Sequence, residues 1–328
     1  MSRACNHRTL GRRPTCELDT ASSLEAVHRA IGDFAGTAYF VDPNHAKASN
    51  QHAGTDPQFP LRTVAEALTK VQYQRGDVIL VGSNDAWNYA PYMFSDYATA
   101  IVEEVTIPYT ASGVRIIGMN QGTMGVTWTP ASNGGTCITN YAIDVVIEGF
   151  LFTEGLAYNG CDGIYALWDG ASYFGENLTV RHCMFDDSVD TAIQMEYTWY
   201  CRIHDCIFWE VDEYGIYVDA GGDGIEYGLI HDNIFHDCTV AMAILAGSDN
   251  NYIYRNQIYN ASAEAGAAAT NEGINLTGGA ANVVADNFFS CLLPVPANGD
   301  YDDLNTTGAT DAWINNHCLN GDATTNPT

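Results

Sequence analysis

Short strand-like segments recur along this sequence between Gly, Asp and Asn turns. They predict an all-β chain wound as a right-handed parallel β-helix solenoid, with an N-terminal capping helix and a basic N-terminal arm. Two observations carry that prediction: a six-residue motif repeated coil after coil, and an amphipathic helix and apolar strand placed ahead of it. The composition agrees, because 46% apolar residues and 31 glycines in 328 residues supply a sizeable core and exclude a disordered chain.

The motif combines a β-branched residue, a polar pair and a closing aromatic. It reads VRHCMF at 180–185, IHDCIF at 203–208, IHDNIF at 230–235, YRNQIY at 254–259 and VADNFF at 284–289. IEGFLF at 147–152 precedes the series in weaker form, and INNHCL at 314–319 closes it. The closing residues Phe152, Phe185, Phe208, Phe235, Tyr259 and Phe289 fall 23 to 33 residues apart. A second short strand follows most of them: GIYAL at Gly163, AIQM at Ala192, GIYV at Gly215, AMAIL at Ala241 and GINL at Gly273. Such segments bury an apolar face only by stacking on the next coil, about 4.8 Å away. Stacking then places Cys183, Cys206, Asn233, Gln257 and Asn287 in one column beside the aromatic one. The irregular spacing excludes a leucine-rich or propeller repeat and suits coils with turns of varied length.

Ahead of the coils, TVAEALTKV sets Val64, Leu68 and Val71 on one helical face with Thr63 as N-cap. The strand VILV follows Arg75-Gly76-Asp77. A helix here can plug the open end of a solenoid, which otherwise exposes unpaired strand edges. Tyr39-Phe40-Val41-Asp42, the Gly54-Thr55 turn, Pro60-Leu61-Arg62-Thr63-Val64, Ala67-Leu68 and Gly76-Asp77-Val78-Ile79 resemble the opening of bacterial and phage proteins of the pectate-lyase-like right-handed β-helix superfamily. With the coils, the resemblance covers residues 37–320. It implies the fold and leaves function open, since the superfamily includes lyases, hydrolases, tailspikes and adhesins. The chain is accordingly divided into an arm with a short helix (1–36), a cap with the first coils (37–112), the main coils (113–320) and a polar tail (321–328).

Charge narrows the function. The chain has 40 acidic and 13 basic residues, a net charge of −27. That excludes a nucleic-acid groove and fits salt adaptation, divalent-cation binding or solubility by self-repulsion. No apolar run reaches the roughly 18 residues that cross a bilayer, so no membrane insertion is expected. Arg3, Arg8, Arg12 and Arg13 precede the first acidic residue, Glu17, and no apolar stretch follows them. The segment is therefore read as a docking arm for an acidic surface, and not as a signal peptide. Residues 22–31, with Leu24, Val27 and Ile31 on one face, join it to the solenoid as a short helix. Ten cysteines, among them Cys183, Cys206 and Cys318 in strand patterns, are expected to be mostly free and buried, in a chain folded in a reducing host cytoplasm. Cys5, His7 and Cys16 match no familiar zinc spacing.

Two columns have catalytic potential. Polysaccharide lyases of the resembled superfamily use a basic residue on the coils, often with calcium; here both lysines, Lys47 and Lys70, precede the coils. Arg181 and Arg255, read as one outward column with His204 and His231 beside Asp205, Asp232 and Asp286, are the remaining basic candidates. Asp187, Glu210 and Asp237, each two residues beyond the aromatic, form an acidic column on three coils. They are candidates for Ca²⁺ through oxygen ligands, or for a glycosidase carboxylate pair. Asp186, Asp190, Asp212 and Glu213 thicken that cluster, and the Trp209 ring could stack on a sugar. The signatures of polygalacturonase-type hydrolases are not found as a set, nor is a phosphate loop, a metal-binding Cys pair or a nucleophile elbow.

The sequence thus favours a non-catalytic scaffold on a virus (phage) particle, a capsid decoration or a tail or spike protein. No cofactor is required, and the arm docks on capsid or tail proteins. The resemblance implies a homo-oligomer, a trimer. The alternative is a carbohydrate-active lyase or hydrolase, a tailspike-like depolymerase, or a glycan-binding adhesin.

Overall fold

The central coils each give one strand to each of three parallel sheets. The computed structural model describes residues 34–82, 100–119, 126–154, 160–168, 175–186, 189–219, 224–245, 247–259, 272–276, 279–290, 302–303 and 311–318. The arm arginines Arg3, Arg8, Arg12 and Arg13, the 22–31 segment, Cys5, His7 and Cys16, Asp187 and the 321–328 tail lie outside the described residues. The first sheet has ten strands, from Ala38–Val41 to Ala312–Ile314. The second has nine, from Ile101–Val102 to His317–Cys318, and the third eight, from Val105–Ile107 to Asp302–Asp303. One coil reads Arg202–His204, Ile207–Trp209, Tyr214–Val218, in first, second and third sheet respectively. Residues Ala35–Thr328 form one compact unit.

The corner between first and second sheets is a single left-handed residue: His182, Asp205, Asp232, Arg255, Asp286 and Asn315 all have φ between 50° and 56°. Asp and Asn tolerate that region better than most side chains. So sharp a bend leaves inward backbone groups without sheet partners, and an asparagine column satisfies them. Asn233 Nδ2 donates to the Ile203 carbonyl (2.9 Å) and to Asn256 Oδ1 (3.0 Å). Asn256, Asn287 and Asn316 repeat the arrangement on later coils. A second buried pair, Asn251 and Asn282, does the same at the corner that leads back to the first sheet.

Next to the asparagines runs the aromatic column. Phe152, Phe185, Phe208 and Phe235 stack with centroids 5.0, 5.0 and 4.4 Å apart and planes within 13°. Third-sheet strands carry glycine at Gly163 and Gly215 because a Cβ there would lie 2.8 Å from the Phe185 or Phe235 ring and nearer still to the next coil's carbonyl. Cys137, Cys161, Cys183, Cys201, Cys206 and Cys238 are free and buried, as expected of thiols in strand patterns. Burial pushes the Cys201 and Cys238 thiols up to about 12.

Two coils run one residue out of step with the sequence alignment. Ile253, not Tyr254, pairs with Ile230, so Asn256 replaces Gln257 in the amide column and Ile258 replaces Tyr259 in the aromatic one. Trp313 likewise takes the inward place assigned to Ile314, which is 46% exposed. A strand's side chains alternate, so a one-residue slip exchanges inside for outside. The asparagine requirement settles the register: glutamine is one methylene too long to bridge the same carbonyl and amide.

At the front, the helix spans Val64–Leu68 and buries Val64, Ala67 and Leu68 against the first strands. Thr63 Oγ1 accepts from Glu66 N (3.2 Å), while the Glu103 carboxylate accepts from Val64 N (2.9 Å) and Ala65 N (2.8 Å). Val71 is buried but lies beyond the helix. In VILV all four residues are buried. The preceding Asp77 carboxylate, inaccessible to solvent, accepts from Thr37 N, Gln72 N and Arg75. Burial alone would raise its pKa, but these bonds hold it below the ordinary carboxylate value. The Gly76-Asp77 pair is thus a structural lock.

Candidate functional site

The basic column resolves into paired groups. In register the outward residues of the first sheet are Glu148, Arg181, His204, His231 and Tyr254. Arg255 is not among them: the slip just described moves it to the left-handed corner, in line with Asp232 and Asp286. Arg181 forms a two-pronged bond with Glu148 Oε2 (2.8 and 3.0 Å). Arg255 Nη2 lies 2.5 Å from Asp232 Oδ2, its guanidinium over the Tyr254 ring. Both guanidinium groups are bound to carboxylates, and arginine does not surrender its proton. His204 and His231 stack with centroids 5.0 Å apart, each held by the next residue, Asp205 and Asp232, through Nδ1 at 2.7 Å.

The acidic column brings Glu210 and Asp237 together on successive coils, both in the left-handed region, and adds a residue that the sequence reading passed over. His236, before Asp237, pairs in register with Trp209, and the two rings lie parallel 4.0 Å apart. Ligand atoms of Glu210, His236 and Asp237 all lie within 4.8 Å of one another. The signal was present in the sequence as a thrice-repeated His-Asp dipeptide: 204–205, 231–232 and 236–237.

A further acidic group lies on the outer face of the third sheet. Asp162 pairs in register with Thr191, and Thr191 with Tyr214. Asp190 occupies an irregularity in the ladder, and Glu213 N donates to the Asp190 carbonyl (2.9 Å). The Asp162 pKa is pushed up to about 6, chiefly by burial and further by the negative charge of Asp190 and Glu213, against hydrogen bonds from the Thr191 backbone and the Thr136 hydroxyl. Burial also raises Asp190. Three residues along, Tyr165, Gln194 and Tyr217 share a row. Burial raises both phenols, with help from Asp219, and burial and Asp219 raise Glu196. A half-buried carboxyl that shares one face with two other carboxylates and several tyrosines can hold and release a proton near neutrality. Asp190 and Glu213 were noted in the sequence as neighbours of the other column. Asp162 was missed, although it immediately precedes the GIYAL strand.

Among known proteins, the family model for the right handed beta helix region matches residues 98–289. No curated protein sequence matches the chain. A lacto-N-biosidase from Eubacterium ramulus superposes with a TM-score of 0.57 at 12% identity, over 91% of this chain and 57% of its own. DFA-IIIase from Arthrobacter chlorophenolicus gives 0.54 at 12% identity, over 85% and 67%. The enzymatically active domain of bacteriophage CBA120 tailspike protein 2 gives 0.50 at 13% identity, over 80% and 39%. The chain therefore spans little more than half of the lacto-N-biosidase and about two fifths of the tailspike domain. At such identities the superpositions speak for the fold alone. Three in-register parallel sheets and the match over more than half of its length establish that the chain belongs to the right-handed parallel β-helix family.

Proposed function

We propose that this solenoid handles carbohydrate on the outer face of its third sheet, with glycoside hydrolysis as the reaction. The observation that carries the reading is Asp162, a carboxyl that keeps its proton to about pH 6 beside Asp190 and Glu213. A protonated carboxyl can deliver a proton to a glycosidic oxygen, while an ionised neighbour activates water or attacks the sugar. Tyr165, Tyr214 and Tyr217 offer ring faces and hydroxyls of the kind sugars pack against. Solved β-helix structures that include a lacto-N-biosidase and a tailspike enzymatic domain are compatible with this reading.

The test is reducing-end release from a panel of neutral and acidic polysaccharides, with Asp162→Asn and Glu213→Gln beside the parent protein. Each variant is expected to lose about 100-fold or more of the activity, and the parent's rate should fall as pH rises through 6. Stability should fall over the same pH range. Because the folded pKa of Asp162 lies above its ordinary 3.8, the stabilisation is full below that ordinary value and is lost as pH rises through about 6. Asp162→Asn is therefore expected to raise Tm at pH 8, by about 2 °C or more, and to do so less at pH 4. No binding or cleavage of any polysaccharide would reject the assignment.

A second reading concerns location: the chain is carried on a virus particle, held there by its N-terminal arm. Four arginines within residues 3–13 of a chain of net charge −27 support it. Deleting residues 1–20 is expected to abolish incorporation into particles while leaving the circular dichroism of the coils intact. Incorporation at the parent level would overturn this reading.

A further inference from the structure

The three His-Asp dipeptides of the coils are not equivalent. His204–Asp205 and His231–Asp232 close onto hydrogen bonds of 2.7 Å from Nδ1 to the carboxylate. His236–Asp237 opens to 3.1 Å, and His236 Nδ1, shielded from solvent, has no hydrogen-bond partner among the described residues. Among the described residues, only this third dipeptide has a further carboxylate drawn to it, Glu210 from the preceding coil.

A hydrogen bond needs the acceptor along the N–H axis. Two ligands of one metal ion sit off each other's axes, each aimed at the ion. With bonds of about 2.1 Å, neighbouring ligands are separated by about 3.0 to 3.4 Å. The 3.1 Å between His236 Nδ1 and Asp237 Oδ2, without hydrogen-bond alignment, matches that second arrangement. The Trp209 ring, parallel to the imidazole at 4.0 Å, fixes its plane.

We infer that Glu210, His236 and Asp237 bind a divalent transition-metal ion through one imidazole nitrogen and two carboxylates. The two negative charges offset the ion's own. An imidazole donor selects Mn²⁺ or Zn²⁺ over Ca²⁺, which takes oxygen ligands. The site differs from the oxygen-only calcium reading of Asp187, Glu210 and Asp237 by adding a nitrogen ligand. This proposal does not depend on the carbohydrate reading, and its test measures metal alone.

The experiment is titration of the chelator-stripped full-length protein with Mn²⁺, followed by the loss of the free-ion electron paramagnetic resonance signal. Mn²⁺ is chosen because thiols, of which the chain has ten, compete poorly for it. One equivalent is expected to bind. Zn²⁺ should displace it, and millimolar Ca²⁺ should not. His236→Ala and Glu210→Gln should each weaken binding about 10-fold or more, with unchanged circular dichroism. His231→Ala, which alters a hydrogen-bonded twin, should leave it as in the parent. Absence of a saturable equivalent, equal binding by the parent and both site variants, or equal loss in His231→Ala would overturn the site. Glu210→Gln guards against a misfolded His236→Ala, since Glu210 is exposed and the change preserves its size.

Discussion

Replacing Asn256 with leucine is expected to destabilise the protein by about 3 to 5 kcal/mol, although the two side chains are nearly equal in size. Asn256 Oδ1 accepts from Asn233 N (3.1 Å) and Asn233 Nδ2 (3.0 Å), while its Nδ2 donates to the Ile230 carbonyl (3.0 Å) and Asn287 Oδ1 (3.0 Å). Leucine leaves the Asn233 backbone N–H buried without a partner, at a cost of about 1 to 3 kcal/mol, and strips a hydrogen bond each from the Ile230 carbonyl and the Asn233 and Asn287 amides. The damage should be local, because coils of a solenoid contact only their neighbours. Hydrogen exchange is the suitable probe: amides of residues 229–236 and 252–259 should lose protection while those of residues 78–81 keep it. Uniform protection across the molecule would show that the amide column has no energetic role.

Phe208→Ala is expected to cost about as much, roughly 3 to 5 kcal/mol, by a different cause. The ring is fully buried between Phe185 and Phe235, with its plane within 8° of both. Its removal deletes apolar burial and leaves a cavity that a stack clamped on both sides cannot close. Phe208→Leu should recover more than half of the loss, because most of the volume returns. Urea unfolding of the three proteins gives the comparison. A cost for Phe208→Ala below about 1 kcal/mol would mean that the column relaxes freely.

Legibility in the sequence followed physical range. The coil motif is local, so its period, the second strands, the Thr63 cap and the buried thiols could be read from residue order. Register could not be read wherever two adjacent residues met the same local rule. YIY at 252–254 offers Tyr, Ile and Tyr to one inward place, and only the reach of an asparagine across coils chose Ile253. The same limit applied to the candidate sites. Arg255 looked like a partner of Arg181 because the two motifs align as text, yet the slip places it at the corner beside Asp232.

By itself, then, the sequence determined a β-helix with an acidic body, because repeat, polarity and turn chemistry are properties of neighbours along the chain. Tertiary structure decided which polar residues meet. Asp162 joins Asp190 and Glu213, and Glu210 joins His236 and Asp237, across coils that lie tens of residues apart in the chain. The physical reason is that a carboxyl's proton affinity and a metal's ligand set depend on distance and burial in space, and those are defined only once the coils are stacked.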